Sequence, residues 1–246
     1  MDLVSIVFAV AFYAAFGVLA FGLYRKVRQY WRTPAPLIIP TTPAPTTRTG
    51  VVLRMAREVV LFSSLFKASK WTWLFGWLFH AALLVAFLRH LRYVTEPVWA
   101  ISELAQSVGI YAGFALLIGL LGLAWRRVFV ARVRYISAPS DHLMLVLLGA
   151  IAGTGLALKY VAPTDVAALK AFMLGLLTFA WQPLPTDTML IGHLSLVLLL
   201  MLIFPFSKLL HAPGVFFSPT RNQIDNPRER RHTVAWTRDL ERSRDG

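Results

Sequence analysis

The chain has no cysteine. That excludes disulfides, thiolate zinc sites, iron–sulfur ligation by this chain and covalent c-type haem attachment. Acidic residues are scarce as well: 12 Asp and Glu stand against 25 Lys and Arg in 246 residues. Charge of either sign makes up 15% of the chain, 57% is hydrophobic, and the mean hydropathy is +0.60. An ordinary soluble domain is far less apolar.

What is present is a series of apolar runs. Five are long enough to span a bilayer, at 3–24, 71–93, 104–125, 141–161 and 187–210, since about 20 helical residues cross the hydrocarbon core. A sixth, 166–181, is shorter, ends at Gln182-Pro183, and reads as a helix lying at one surface. No small-residue cleavage motif follows the first run, which therefore reads as a retained helix. The expected fold class is all-α: an integral bundle of five transmembrane helices over 1–215, followed by a cytoplasmic tail, 216–246.

The basic residues set the expected orientation. Nine lie in 25–70, four in 126–139 and eight from Lys208 onward, against only Arg89, Arg92, Lys159 and Lys170 on the other side. The positive-inside rule then puts the N-terminus in the periplasm and the C-terminus in the cytoplasm of a cell inner membrane. The net charge of +13 is thus topological, and no nucleic-acid partner is expected.

Between the first two spans, 33–49 carries five prolines and reads as an extended linker. The segment 51–68 follows, with Val52, Met55, Val59, Phe62 and Phe66 at helical spacing and Arg54, Arg57 and Lys67 interleaved. It reads as an amphipathic surface helix, serving as a lipid anchor or as a docking face. In the fourth span, "GAIAGTG" holds the small-xxx-small pair Gly149 and Gly153, which permits close helix contact.

The chemistry lies in the histidines. His80 and His90 sit on the second run, and His193 and His211 on the fifth. Ionisable groups at membrane depth are rare and usually functional. Zinc would want further ligands, and a proton path would want carboxylates. Two axial imidazoles suffice for a six-coordinate haem iron, so two pairs would hold two b-type haems. The second span runs inward to outward and the fifth runs back. His90 therefore pairs with His193 at the outer haem, and His80 with His211 at the inner one. The spacings differ: ten residues rise about 15 Å and eighteen about 27 Å on straight helices. Pro205 is expected to kink the fifth span. His142 is a rival for the place of His211, and His232 reads as solvated.

Three stretches, "LFHAALLVAFLRH", "RRVFVARVR" and "LIFPFSKLLH", resemble the nitrate reductase gamma-subunit family of dihaem cytochromes b. The resemblance implies that the four histidines are the axial ligands in these pairs. Further features are "REVVLFSSLFKASKWTWLFGWLFH", "LRHLRY" and the tail "HAPGVFFSPTRNQIDNPRERRH". They are most similar to the branch found in sulfite-reduction-associated (DsrMKJOP) complexes. That likeness implies dissimilatory sulfur metabolism and electron exchange with membrane quinone or menaquinone. It also implies a cytoplasmic heterodisulfide-reductase-like (DsrK-like) iron–sulfur subunit, and further membrane and periplasmic subunits including a multihaem cytochrome c. Arg89 stands where the nitrate-reducing branch has glycine, and "ELAQSVGIYAG" lacks the lysine that branch places near its quinol site. Arg89 and Arg92 read as contacts to haem propionates or quinone, or as interface markers. A gamma subunit of a true nitrate reductase, and a non-redox membrane scaffold, are the alternatives. In the tail, Phe216, Phe217 and Trp236 read as a landing surface for the cytoplasmic partner, or else as part of a basic segment held near anionic lipid.

Overall fold

The computed structural model describes residues 2–33 and 43–225. Every regular element among them is helical: α1 (Leu3–Arg32), α2 (Arg48–Leu61), α3 (Ser63–Ala68), α4 (Lys70–His90), α5 (Ala100–Phe129), α6 (Ala131–Tyr135), α7 (Pro139–Tyr160), α8 (Val166–Thr178), α9 (Thr188–Ile203), α10 (His211–Gly214) and α11 (Pro219–Asn222). Five helices are long and apolar enough to cross a membrane. At most 28% of the most apolar window of any of them is buried within the fold. The rest needs hydrocarbon or a protein partner as its solvent. The chain is an all-α, multi-pass membrane protein.

Three span boundaries lie further out than the apolar runs suggest. α1 continues past Tyr24 to Arg32, and α5 runs from Ala100 to Phe129 rather than over 104–125. Long cationic and aromatic side chains extend a helix out of the hydrocarbon without breaking its ladder. α9 ends early, at Ile203.

The chain divides into two compact units, residues 1–21 with 65–208, and 22–64 with 209–246. The boundary expected at 215/216 falls inside the second unit.

In the first unit α4 and α5 form an antiparallel hairpin fastened at both ends. At one end Arg126 donates to Thr72 Oγ1 at 3.1 Å and to Ser69 Oγ at 3.3 Å, the two hydroxyls at the start of α4. At the other, the buried Ser102 donates to the Leu88 carbonyl at 2.9 Å. Gly119 brings the backbones together: a Cβ there would lie 2.9 Å from the Phe79 nitrogen. Close approach and hydrogen bonding, rather than burial alone, hold helices together in lipid. Phe79, Ala82, Leu116 and Leu120 form the seam, with Leu145, Leu148 and Ala152 of α7 against it.

A second core joins the start of α1 to α8 and α9 through Phe8, Phe172, Leu176, Leu190 and Leu194. Its polar groups are satisfied internally. Tyr13 donates to the Leu176 carbonyl at 2.7 Å and accepts from Trp181 Nε1 at 3.0 Å. The short apolar run is therefore a helix, α8, whose Leu169, Phe172 and Leu176 are buried in this core.

The second unit contains the amphipathic segment as far as Ser64, and that segment is not one helix. Phe62 adopts φ 50° and ends α2, so Phe66 lies on the separate helix α3. Within α2 the expected stripe is split. Met55 is half-buried, whereas Val52 and Val59 are exposed beside Leu53 and Val60. The inward side is set by Glu58, which accepts from Ser64 Oγ at 2.5 Å and from Arg221 at 2.6 Å. Burial alone would raise the Glu58 carboxyl. The Ser64 hydrogen bonds and the Arg221 charge outweigh it and hold the pKa below its ordinary value. The residues after His211 are folded into this unit: Phe217 packs 5.7 Å from the Tyr30 ring and 6.3 Å from Trp31, and Asp225 N donates to the Pro45 carbonyl at 3.0 Å.

Candidate functional site

The imidazoles of α4 are held by their own helix. His80 Nδ1 lies 2.7 Å from the Gly76 carbonyl, and His90 Nδ1 lies 2.6 Å from the Ala86 carbonyl. A carbonyl can only accept, so both rings are protonated at Nδ1 and carry the lone pair at Nε2. That is the tautomer an axial metal ligand needs.

His193 on α9 is held differently. Its Nδ1 lies 2.9 Å from Thr154 Oγ1 on α7. The Thr154 hydroxyl donates its single proton to the Ala150 carbonyl at 2.7 Å, one turn back. The Ile151 carbonyl, 3.1 Å away, is a second acceptor for the same proton; with the proton on either carbonyl the hydroxyl accepts from His193, which again leaves the lone pair at Nε2. A Cβ at Gly155 would stand 3.3 Å from His193 Cε1.

In the first unit α4 packs on α5, α5 on α7, and α7 on α9. Among the described residues no comparable contact joins α9 back to α4. His90 also retains accessible area although it lies deep among neighbouring atoms.

The unequal spacings have a local cause. From His80 to His90 is ten residues of continuous helix, and from His193 to the end of α9 at Ile203 is ten as well; each rises about 15 Å. Beyond Ile203 come a 3₁₀ turn, Phe204–Phe206, with the buried Pro205 at its start, an extended Ser207, and a second 3₁₀ turn, Lys208–Leu210. The eighteen residues to His211 are not one axial distance. Pro205 interrupts the helix where a missing backbone donor should.

His211 opens α10 and is exposed, in the second unit. His142 is half-buried in the first turn of α7. His232 and Trp236 lie outside the described residues. Arg92 donates to Gln106 Oε1 at 3.1 Å and lies 5.7 Å from the Tyr93 ring centroid. The Arg89 side chain crosses Gly109, where a Cβ would come within 2.7 Å of it. Both arginines are thus laid against α5 or its own turn. Gly149 and Gly153 have no atom within 4 Å of an added Cβ. The close approach on α7 is made by Gly155 instead.

Sequence reasoning passed over two residues. Thr154 carries no sequence signal beyond a hydroxyl between two glycines. Asp141, at the edge of the fourth run, is buried and accepts from Lys208 at 2.8 Å and from the Ala138 amide at 2.9 Å, with Arg127 at 3.4 Å. A lone acid among basic loops, just after Ser-Pro-type turn residues, was the available clue.

Comparison with known proteins follows the same outline. Residues 49–226 match the family model described as nitrate reductase gamma subunit. The chain is 33% identical to an Hdr-like menaquinol oxidoreductase cytochrome b-like subunit of Archaeoglobus fulgidus, over 95% of this chain and 84% of that protein. The counterpart in Archaeoglobus profundus is 32% identical over 91% and 80%. The respiratory nitrate reductase 1 gamma chain of Escherichia coli is 31% identical over 54% and 68%. With its five spanning helices and a family match over most of its length, the chain belongs to the nitrate reductase gamma-subunit family.

Proposed function

We propose that the chain is the dihaem cytochrome b subunit of a membrane complex, exchanging electrons between menaquinol and a cytoplasmic iron–sulfur subunit. One observation carries the reading: His90 on α4 and His193 on α9 each have Nδ1 hydrogen-bonded to the fold, to the Ala86 carbonyl and to Thr154 Oγ1. The donor set fits a bis-imidazole haem, because each ring offers Nε2 and its hydrogen bond fixes its plane. His90 and His193 hold the outer haem, and His80 and His211 the inner one. Bound there, haem supplies a reversible one-electron iron couple; the protein supplies ligation, orientation and a dry surround. The inner pair rests on the residue order and on the matching tautomer of His80.

The relatives covering most of this chain are named Hdr-like menaquinol oxidoreductase cytochrome b-like subunits, which supports a place in a complex with other subunits. The nitrate reductase gamma chain covers 54% of this chain. This favours a heterodisulfide-reductase-like (DsrK-like) partner, in a complex of dissimilatory sulfur metabolism with further membrane and periplasmic subunits including a multihaem cytochrome c, over a nitrate-reducing one. The basic side is cytoplasmic, and the second unit is the landing surface, with Phe216 exposed on it. Arg89 and Arg92 flank the outer haem, where quinone exchanges.

A reduced-minus-oxidised spectrum of the purified complex, with a menaquinol analogue as reductant, tests this. Two b-type components reduced by the quinol are expected. A spectrum without b-type bands would leave a non-redox scaffold. Co-purification of a molybdenum subunit would point to nitrate.

A further inference from the structure

The two imidazoles of the outer pair are seated by different parts of the fold. His90 is hydrogen-bonded within its own helix. His193 is bonded across to α7, where its Nδ1 lies 2.9 Å from Thr154 Oγ1. The Thr154 hydroxyl has the Ala150 and Ile151 carbonyls, at 2.7 Å and 3.1 Å, to take its proton, which leaves its oxygen as an acceptor toward His193. The next residue completes the seat. Gly155 leaves the imidazole room that a Cβ, 3.3 Å from Cε1 and 3.8 Å from Nδ1, would take away.

We propose that Thr154 is the positioning residue for His193, fixing the plane and tautomer of this imidazole and raising its basicity. The inference rests on the reading of His193 as a haem ligand. An acceptor on Nδ1–H makes Nε2 a stronger donor, and a stronger donor favours the more highly charged ferric iron. Thr154 therefore lowers the potential of one haem only. Through it the outer site answers to the position of α7, whereas His90 moves with α4. Thr154 and Gly155 of the fourth span have a role here that Gly149 and Gly153, with open space around them, do not share.

The test is a redox titration of the purified, haem-loaded complex, with haem counting and the electron paramagnetic resonance of the ferric haems. The variants are Thr154→Val, Thr154→Ser and His193→Ala. His193→Ala should lack one haem. Thr154→Val should keep both, with one potential raised and its ferric signal shifted. A change of up to tenfold in that haem's ferric-to-ferrous ratio corresponds to about 59 mV. Thr154→Ser, which restores the hydroxyl, should return both readouts to wild type.

If His193→Ala retains both haems, the ligation reading itself fails. If it loses one but Thr154→Val moves neither potential nor signal, the inference fails and the ligation reading stands. Should Thr154→Val lose the haem, Thr154→Ser decides: a wild-type signature supports the hydrogen bond, and a second loss refutes it in favour of packing.

Discussion

Replacing Asp141 by Asn should loosen the end of α9 without disturbing the outer pair. The carboxylate is 6% exposed and takes three polar contacts at once: Lys208, Arg127 and the Ala138 amide. Hydrogen bonds to a charged group are each worth about 1.5–3 kcal/mol. Lys208 is 70% exposed, so its pair alone resembles a surface bridge worth about 0–1 kcal/mol. Asn keeps the amide contact in part but leaves Arg127 and Lys208 facing each other without a counter-charge. The expected loss for Asp141→Asn is about 2–3 kcal/mol, against under about 1 kcal/mol for Lys208→Met. Lys208 is the last residue of the first unit, three before His211. The damage should therefore fall on the inner haem. Thermal release of haem from detergent-solubilised complex, followed at the two b-type bands, reads both effects. The inner component should be lost at lower temperature in Asp141→Asn, and the outer one should be unmoved. Equal behaviour of Asp141→Asn and Lys208→Met, or selective loss of the outer haem, would refute the reasoning.

The second unit gives two further predictions. Arg221→Met or Glu58→Gln should release residues 211–225 from α2, seen as faster hydrogen exchange there, at a cost of about 1.5–3 kcal/mol for the pair now 2.6 Å apart. Because Glu58 has a lowered pKa, its contribution is complete at neutral pH. It is lost as pH falls through that depressed value, so wild type should approach Glu58→Gln only in acid. Truncation after Pro219, which removes Arg221, should release the cytoplasmic iron–sulfur subunit while both haems persist; truncation after Asp225 should release less of it. Retention of that subunit by both truncations would place docking on the exposed Val52, Leu53, Val59 and Val60 of α2.

Much of this arrangement was legible in the sequence because lipid imposes a simple rule. A backbone in hydrocarbon must satisfy its own hydrogen bonds, so long apolar runs became helices where they stood. Pro205 announced the break in α9 for the same reason. What escaped was contact between distant helices. Thr154 of α7 meets His193 of α9 beside Gly155, and no spacing along one helix encodes that. The amphipathic stripe misled at Phe62, because a positive φ depends on Glu58 and Ser64 meeting across the turn. Two segments that read as rival docking faces, the tail and 51–68, are joined by the ion pair of Arg221 and Glu58.

The central claim is ligation by four histidines in two pairs. Its most direct test is the number of haems b per chain in wild type and in the single variants His80→Ala, His90→Ala, His193→Ala and His211→Ala. Wild type should hold two. His90→Ala and His193→Ala should each lose the same haem, and His80→Ala and His211→Ala the other. One haem or none in wild type, or loss of the same haem from His80→Ala and His90→Ala, would contradict the account.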